Sequence, residues 1–117
     1  MRGVENQNFD KPDETRSFEK GRLDLITLGG TTIGRAVFEP GWKWSECVKP
    51  IAGTDSCQVA HTGYLISGHM HVVMDDGSEA YIEEGDMFVI APGHDAWIIG
   101  SKPCVALDIQ GASQYAQ

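Results

Sequence analysis

The chain has 117 residues, 41% of them apolar, which is enough for one domain with a real core and too few for two. A formal charge of −8 argues against binding nucleic acid or an anionic membrane through a basic surface, and no apolar run approaches the roughly 18 residues of a membrane span. There is no signal-peptide pattern, and the three cysteines, Cys47, Cys57 and Cys104, form no C-x-x-C pair, so a cytoplasmic protein with reduced thiols is expected.

Residues 1–20 are polar and unperiodic, with Phe9 and Phe18 as the large apolar anchors. They read either as a disordered arm or as a strand that lies along the body or crosses to a second subunit. From Arg22 the pattern changes. Leu23 to Leu28 runs into Gly29-Gly30 and returns through Thr31 to Phe38, a hairpin by its β-branched residues and glycine punctuation. Pro40-Gly41 ends that pair, and Trp42 to Ser45 reads as the start of another strand with both tryptophans on one face. Residues 50–57 are a loop by composition. Residues 58–67 read as a strand ending at Gly68, with 69–74 as its hairpin partner before the Asp76-Gly77 turn. Alternation places Met70, Val72 and Met74 on the core face and sends His69 and His71 outward to solvent. Gly85 to Trp97 reads as turn, buried strand and Pro92-Gly93 turn, with His94 and Asp95 opening the next strand. A last strand covers Cys104 to Ile109, and the tail after it carries no signal. Eight to ten short strands, fourteen glycines and no helical period make the fold all-β, a sandwich or barrel.

Three phrases in order resemble a small single-domain cupin, a double-stranded β-helix or jelly-roll barrel: Phe38-Glu39-Pro40-Gly41, Gly63 to Met70, and the Gly85 stretch. The resemblance runs from about Arg22 to Ile109 and implies an N-terminal arm over 1–20 and a barrel domain over 21–117. It further implies a metal site of two histidines one residue apart, a glutamate and a later histidine. Carried over position by position, the first pair falls on Cys47 and Lys49 if residues 50–57 are an insertion, or on Asp55 and Cys57 if they are not. The glutamate position falls on His61, and the last histidine falls on Ala96, with His94 two residues earlier. The first register keeps Pro40-Gly41 at its usual distance and is preferred.

The remaining donors form a nitrogen and sulfur set, with Cys47, His61 and His94 as the expected metal ligands and Cys57, Glu46, Asp55, Lys49 and Trp44 as further ligands or pocket residues. Among the divalent transition metals, thiolate and imidazole suit zinc or copper better than iron, manganese or nickel. Single residues keep plainer readings: His61 as a hydrogen-bonded core histidine, His94 as a loop residue paired with Asp95, Cys104 as a small core residue, Lys49 as a surface lysine. The functions in contention are a barrel binding a metal or small organic molecule as a sensor or accessory module, a metal-dependent enzyme of dioxygenase, isomerase or lyase type, and a dimeric structural barrel with a vestigial site. The expected partners are a small-molecule ligand and a second copy of the chain, with no nucleic acid and no membrane.

Overall fold

The structure, a computed structural model, describes residues 3–116, so residues 1, 2 and 117 of the expected arm and barrel lie outside it. Among the described residues nine strands form two sheets: β1 (Glu14–Phe18), β2 (Gly21–Leu28), β3 (Thr31–Phe38), β4 (His61–Ser67), β5 (Met70–Met74), β6 (Glu79–Ile82), β7 (Met87–Ile90), β8 (His94–Ile98) and β9 (Cys104–Gln110). The six-stranded sheet has the order β1-β2-β3-β9-β4-β7 and the three-stranded sheet the order β6-β5-β8, with every pairing antiparallel. Strict alternation turns one set of side chains inward: Gly34, Ala36 and Phe38 from β3, His61, Gly63 and Leu65 from β4, His94, Ala96 and Ile98 from β8, and Cys104, Ala106 and Asp108 from β9. The inward faces of the two sheets share one core. Among the described residues, no helix is long and apolar enough to cross a membrane.

The β2–β3 hairpin turns at Gly29-Gly30, both at positive φ, as the sequence predicts. Elsewhere the structure departs from the expectation in strand pairing or in local state. Residues 69–74 do not pair with the strand before them. Gly68, at φ 90, ends β4, and β5 joins the other sheet between β6 and β8. That central position also changes the environment of His71. It points away from the core as expected, but its cross-strand neighbours Tyr81 and Trp97 close over it. Tyr81 stacks on its ring at 4.3 Å, Trp97 meets it edge-on at 4.5 Å, and His71 is buried while His69 remains exposed.

The segment after Pro40-Gly41 is not a strand. Lys43 makes a single bridge to Trp97, and the chain then forms two one-turn helices, α1 (Trp44–Cys47) and α2 (Lys49–Ala52), with Gly53 in the left-handed conformation at the end of the second. Four-residue helices leave too short a window for a helical period to show in the sequence.

Of the two readings of the N-terminal residues, the structure has the strand along the body. β1 pairs with β2, Phe18 packs against Phe38, Trp42 and Tyr115, and the Arg35 guanidinium lies over Phe9. Both aromatics of the arm are thus engaged within their own chain. Arg35 also reaches buried Asp24 at 2.9 Å. Burial opposes that charge, but hydrogen bonds from Arg35, Thr15 and Arg22 outweigh it and hold the carboxyl below its ordinary range.

A candidate metal centre in the barrel

Backbone pairing brings three side chains together. His61 opens β4 and His94 opens β8, both inward. Cys57 is tied to His94 by a β-bridge: its N–H donates to the His94 carbonyl at 2.7 Å, and its own carbonyl accepts from Gly93 N–H at 2.7 Å and His94 N–H at 3.2 Å. The outcome is a buried group in which one donor atom each of Cys57, His61 and His94 lies within 4.8 Å of the others. Cys57 Sγ stands 3.7 Å from His61 Nε2, and the two imidazoles meet edge-to-face at 5.4 Å.

Each imidazole is held from behind. His61 Nδ1 is 2.6 Å from Asp108 Oδ2, and His94 Nδ1 is 2.8 Å from the Ala91 carbonyl oxygen. Carboxylates and carbonyls only accept, so both Nδ1 atoms carry the hydrogen and both Nε2 atoms are the ones a metal would take. The donor set also fits by length. With Zn–S of about 2.3 Å and Zn–N of about 2.0–2.1 Å, a tetrahedral ion separates sulfur from nitrogen by about 3.6 Å, against 3.7 Å between Cys57 and His61. One thiolate and two imidazoles would leave a coordination position of a tetrahedral ion open.

The charges favour deprotonated sulfur. Burial opposes ionisation of Cys57, but hydrogen bonds from His61 and His94 outweigh it and bring the thiol down to about 6. Burial likewise opposes the charge on His61, and hydrogen bonds to Asp108 and Cys57 outweigh it, raising the imidazole to about 9. Near neutral pH the pair is therefore a thiolate beside an imidazolium, with one proton where a metal would bind. The other cysteines are different. Burial alone pushes Cys104 up to about 12, and burial, with Glu19 adding to it, holds Cys47 above its ordinary range.

The structure brings Cys57, and not Cys47, to the two histidines. Cys47 is buried on α1, where its surroundings are Lys43, Lys20 and Glu19. This corresponds to the register in which residues 50–57 are no free insertion: their last residue is bonded to the strand that carries His94. Glu46 is exposed, and Lys49 faces solvent with a 3.7 Å contact to fully exposed Asp55. None of these three belongs to the cluster. Asp95 does not pair with His94. It projects from the opposite face of β8, where Oδ1 accepts from Ser45 N–H and Ala96 N–H.

A cavity of about 60 Å³ adjoins the cluster inside the barrel. His61, His94 and Asp108 line it together with apolar side chains such as Leu23, Met70 and Ile90, and Trp42, Trp44 and Tyr115 complete its wall. Cys57 instead lines a separate surface groove beneath α2 and the C-terminal turn, and Trp44 and Tyr115 are common to both spaces. The cluster thus lies between interior and surface. Two of its residues escape a motif-based reading. Asp108 is the lone acid in the run Val105 to Ile109, on the inward parity of Cys104 and Ala106, and that parity is its signal. Tyr115 lies in the tail, where a short 3-10 turn (Ala112–Gln114) folds back so that its ring meets His61 at 5.4 Å. No periodicity announces it.

No protein-family model matches the chain, and no curated protein does. Solved structures do. A protein of unknown function from Acidithiobacillus ferrooxidans superposes with a TM-score of 0.59 at 17% identity over 82% of this chain and 85% of that one. Oxalate decarboxylase from Lactobacillus farciminis, in a formate complex, gives 0.59 at 20% identity over 84% of this chain and 30% of that one. Procruciferin, an 11S globulin of Brassica napus, gives 0.58 at 15% identity over 90% and 30%. The decarboxylase and the globulin are cupin proteins. Likeness at these identities carries the fold and no activity, and that fold is the all-β cupin barrel that the order of the turn and strand phrases implies.

Proposed function

We propose that this chain is a metal-binding cupin barrel, with Cys57, His61 and His94 as the protein ligands, zinc or copper as the preferred ion, and the interior cavity as the place where a small organic molecule meets it. The observation that carries the reading is the convergence of three buried donors whose two imidazoles are already oriented by Asp108 and the Ala91 carbonyl. An open coordination position beside a cavity suits a sensor or accessory module that reports on a ligand. The same layout suits a metal-dependent enzyme, and turnover of a small carbonyl or hydroxy compound by wild type, lost in His61→Ala, would favour that version.

Elemental analysis of protein purified without added metal tests the proposal. Close to one equivalent of zinc or copper is expected, and less than about a tenth, with no uptake on adding Zn²⁺, would sink it. Binding should also release protons. The sign follows from the two groups: with Cys57 near 6 and His61 near 9, the metal-free site at pH 7.5 holds one proton, which an incoming ion must displace. Calorimetry in buffers of different ionisation enthalpy should report about one proton released at pH 7.5, rising below pH 6 as Cys57 also protonates, with affinity falling in parallel.

A second reading has one specific observation behind it. Cys57, His61 and Asp108 form a continuous thiol–imidazole–carboxylate chain, the arrangement that activates a cysteine nucleophile. Metal content separates the two. A metal-free protein whose Cys57 is alkylated by iodoacetamide at pH 7 faster than a free thiol would favour the nucleophile.

A further inference from the structure

The outer face of the six-stranded sheet is covered over only part of its width. At β2 the chain covers it: Ile26, of opposite parity to the core residue Leu25, is buried, and the Phe9 ring lies against the Arg35 guanidinium. Over β9, β4 and β7 the face is open. Tyr64 and Ile66 from β4 are 38% and 46% exposed, Met87 and Val89 from β7 are 63% and 79%, and Ile109 from β9 is 45%. The strand register makes them neighbours: Tyr64 pairs with Met87 on one side and with Leu107 on the other, and Val89 pairs with Thr62. An antiparallel sheet with one solvated face ordinarily alternates apolar-in with polar-out. Here no outward side chain of the three strands is charged, in a chain with 17 acidic and 9 basic residues. β7 is also the end strand of its sheet, where proteins place a charge or a proline against stray pairing, and Met87 to Ile90 has neither.

We propose that this face is the contact between two copies of the chain, packed face to face about a two-fold axis, with Tyr64 on the middle of the three open strands near its centre. Area and charge both favour a second copy over other occupants. The five side chains together expose the equivalent of between two and three whole residues, roughly 400–600 Å² of apolar surface. That is the upper end of the ~300–600 Å² that a monomer leaves bare. With the half-buried rim of Thr62, Val105 and Leu107, it approaches the ~800 Å² per partner of a standard interface. Charge narrows the choice further. At a net charge of −8, two copies repel wherever acidic surfaces meet, and an uncharged face is where they can touch without like charges opposed. A basic partner would instead be drawn to the acidic surface elsewhere on the chain. A two-fold contact requires a face that matches itself. A sheet face of uncharged side chains does so, stacking on its copy as the halves of a β-sandwich stack, about 10 Å apart. The inference rests neither on metal nor on the interior cavity.

Sedimentation equilibrium of the full chain as purified, from about 1 to 200 µM, tests the proposal. Wild type should fit a monomer–dimer equilibrium with a Kd of about 10 µM or tighter. Tyr64→Lys sets two like charges at the centre of the contact and should raise that Kd at least about 100-fold. Val89→Glu changes a side chain that is 79% exposed and outside the core. It should raise the Kd at least about tenfold, so the test stands even if Tyr64→Lys fails to fold. Ile51→Glu, at an exposed residue of α2, should leave the Kd unchanged. A wild type still monomeric at about 200 µM would overturn the inference, and flotation of that monomer with phosphatidylcholine vesicles would assign the face to a lipid surface instead. A dimer that Val89→Glu or a folded Tyr64→Lys leaves intact, or that Ile51→Glu weakens as much, would overturn it too.

Discussion

His61→Ala should abolish metal binding, and Asp108→Asn should weaken it without abolishing it. The first removes one of the three proposed ligands, and among the described residues no further donor belongs to the cluster. The other acids and thiols near this end of the chain, Cys47, Glu46 and Asp55, are on other surfaces or on α1, so none can step in. Two ligands bind zinc far more weakly than three, and His61→Ala should purify with essentially no metal. Asp108→Asn leaves the three ligands intact. It keeps an oxygen that can accept from His61 Nδ1 but removes the charge that makes His61 a stronger ligand, and losing such an outer partner costs roughly 10–100-fold in affinity. Competition with a chromophoric chelator at pH 7.5 measures both. Equal affinity in wild type and Asp108→Asn would mean that the 2.6 Å contact serves the fold alone, and full metal content in His61→Ala would remove His61 from the ligand set.

These effects trace to contacts of very different legibility in the sequence. The barrel could be read because its signals are local. Gly-Asp and Pro-Gly turns bracket Met87 to Ile90, alternation assigns the faces of β5 and β8, and Gly29-Gly30 closes a hairpin, each settled by a few adjacent residues. His61 and His94 were readable for the same reason, since inward parity on a strand is a local property. The third member of the cluster was not. Choosing Cys57 over Cys47 needs the bridge between Cys57 and His94, residues 37 positions apart by number, and two one-turn helices that take up residues 44–52. Neither has a periodic trace. His71 shows the same limit on the outer face. Its direction follows from alternation, but its burial follows from Tyr81 and Trp97 arriving on neighbouring strands.

A pair of adjacent core substitutions should separate stability from site geometry. Leu65 is fully buried on β4 and pairs with Ala106 of β9, so Leu65→Ala leaves a cavity that small neighbours cannot fill. It should cost roughly 2–5 kcal/mol, a large share of the ~5–15 kcal/mol typical of a domain. Gly63, two residues earlier, pairs with Asp108 across a register shift that begins at Thr62. A Cβ there would sit 2.3 Å from the Leu107 carbonyl oxygen and 2.7 Å from the Phe88 ring. Phe88 can yield, but a backbone oxygen can move only if β9 shifts away from β4. Gly63→Ala should therefore cost at least the roughly 1–3 kcal/mol of overpacking, and the shift would carry Asp108 off His61. Urea unfolding and chelator competition on the two variants give the contrast: Leu65→Ala less stable with metal affinity within about threefold of wild type, Gly63→Ala less stable with affinity lowered as far as in Asp108→Asn. If Gly63→Ala binds metal as tightly as wild type, the glycine only relieves crowding between the strands, and the alignment of Asp108 with His61 does not depend on it.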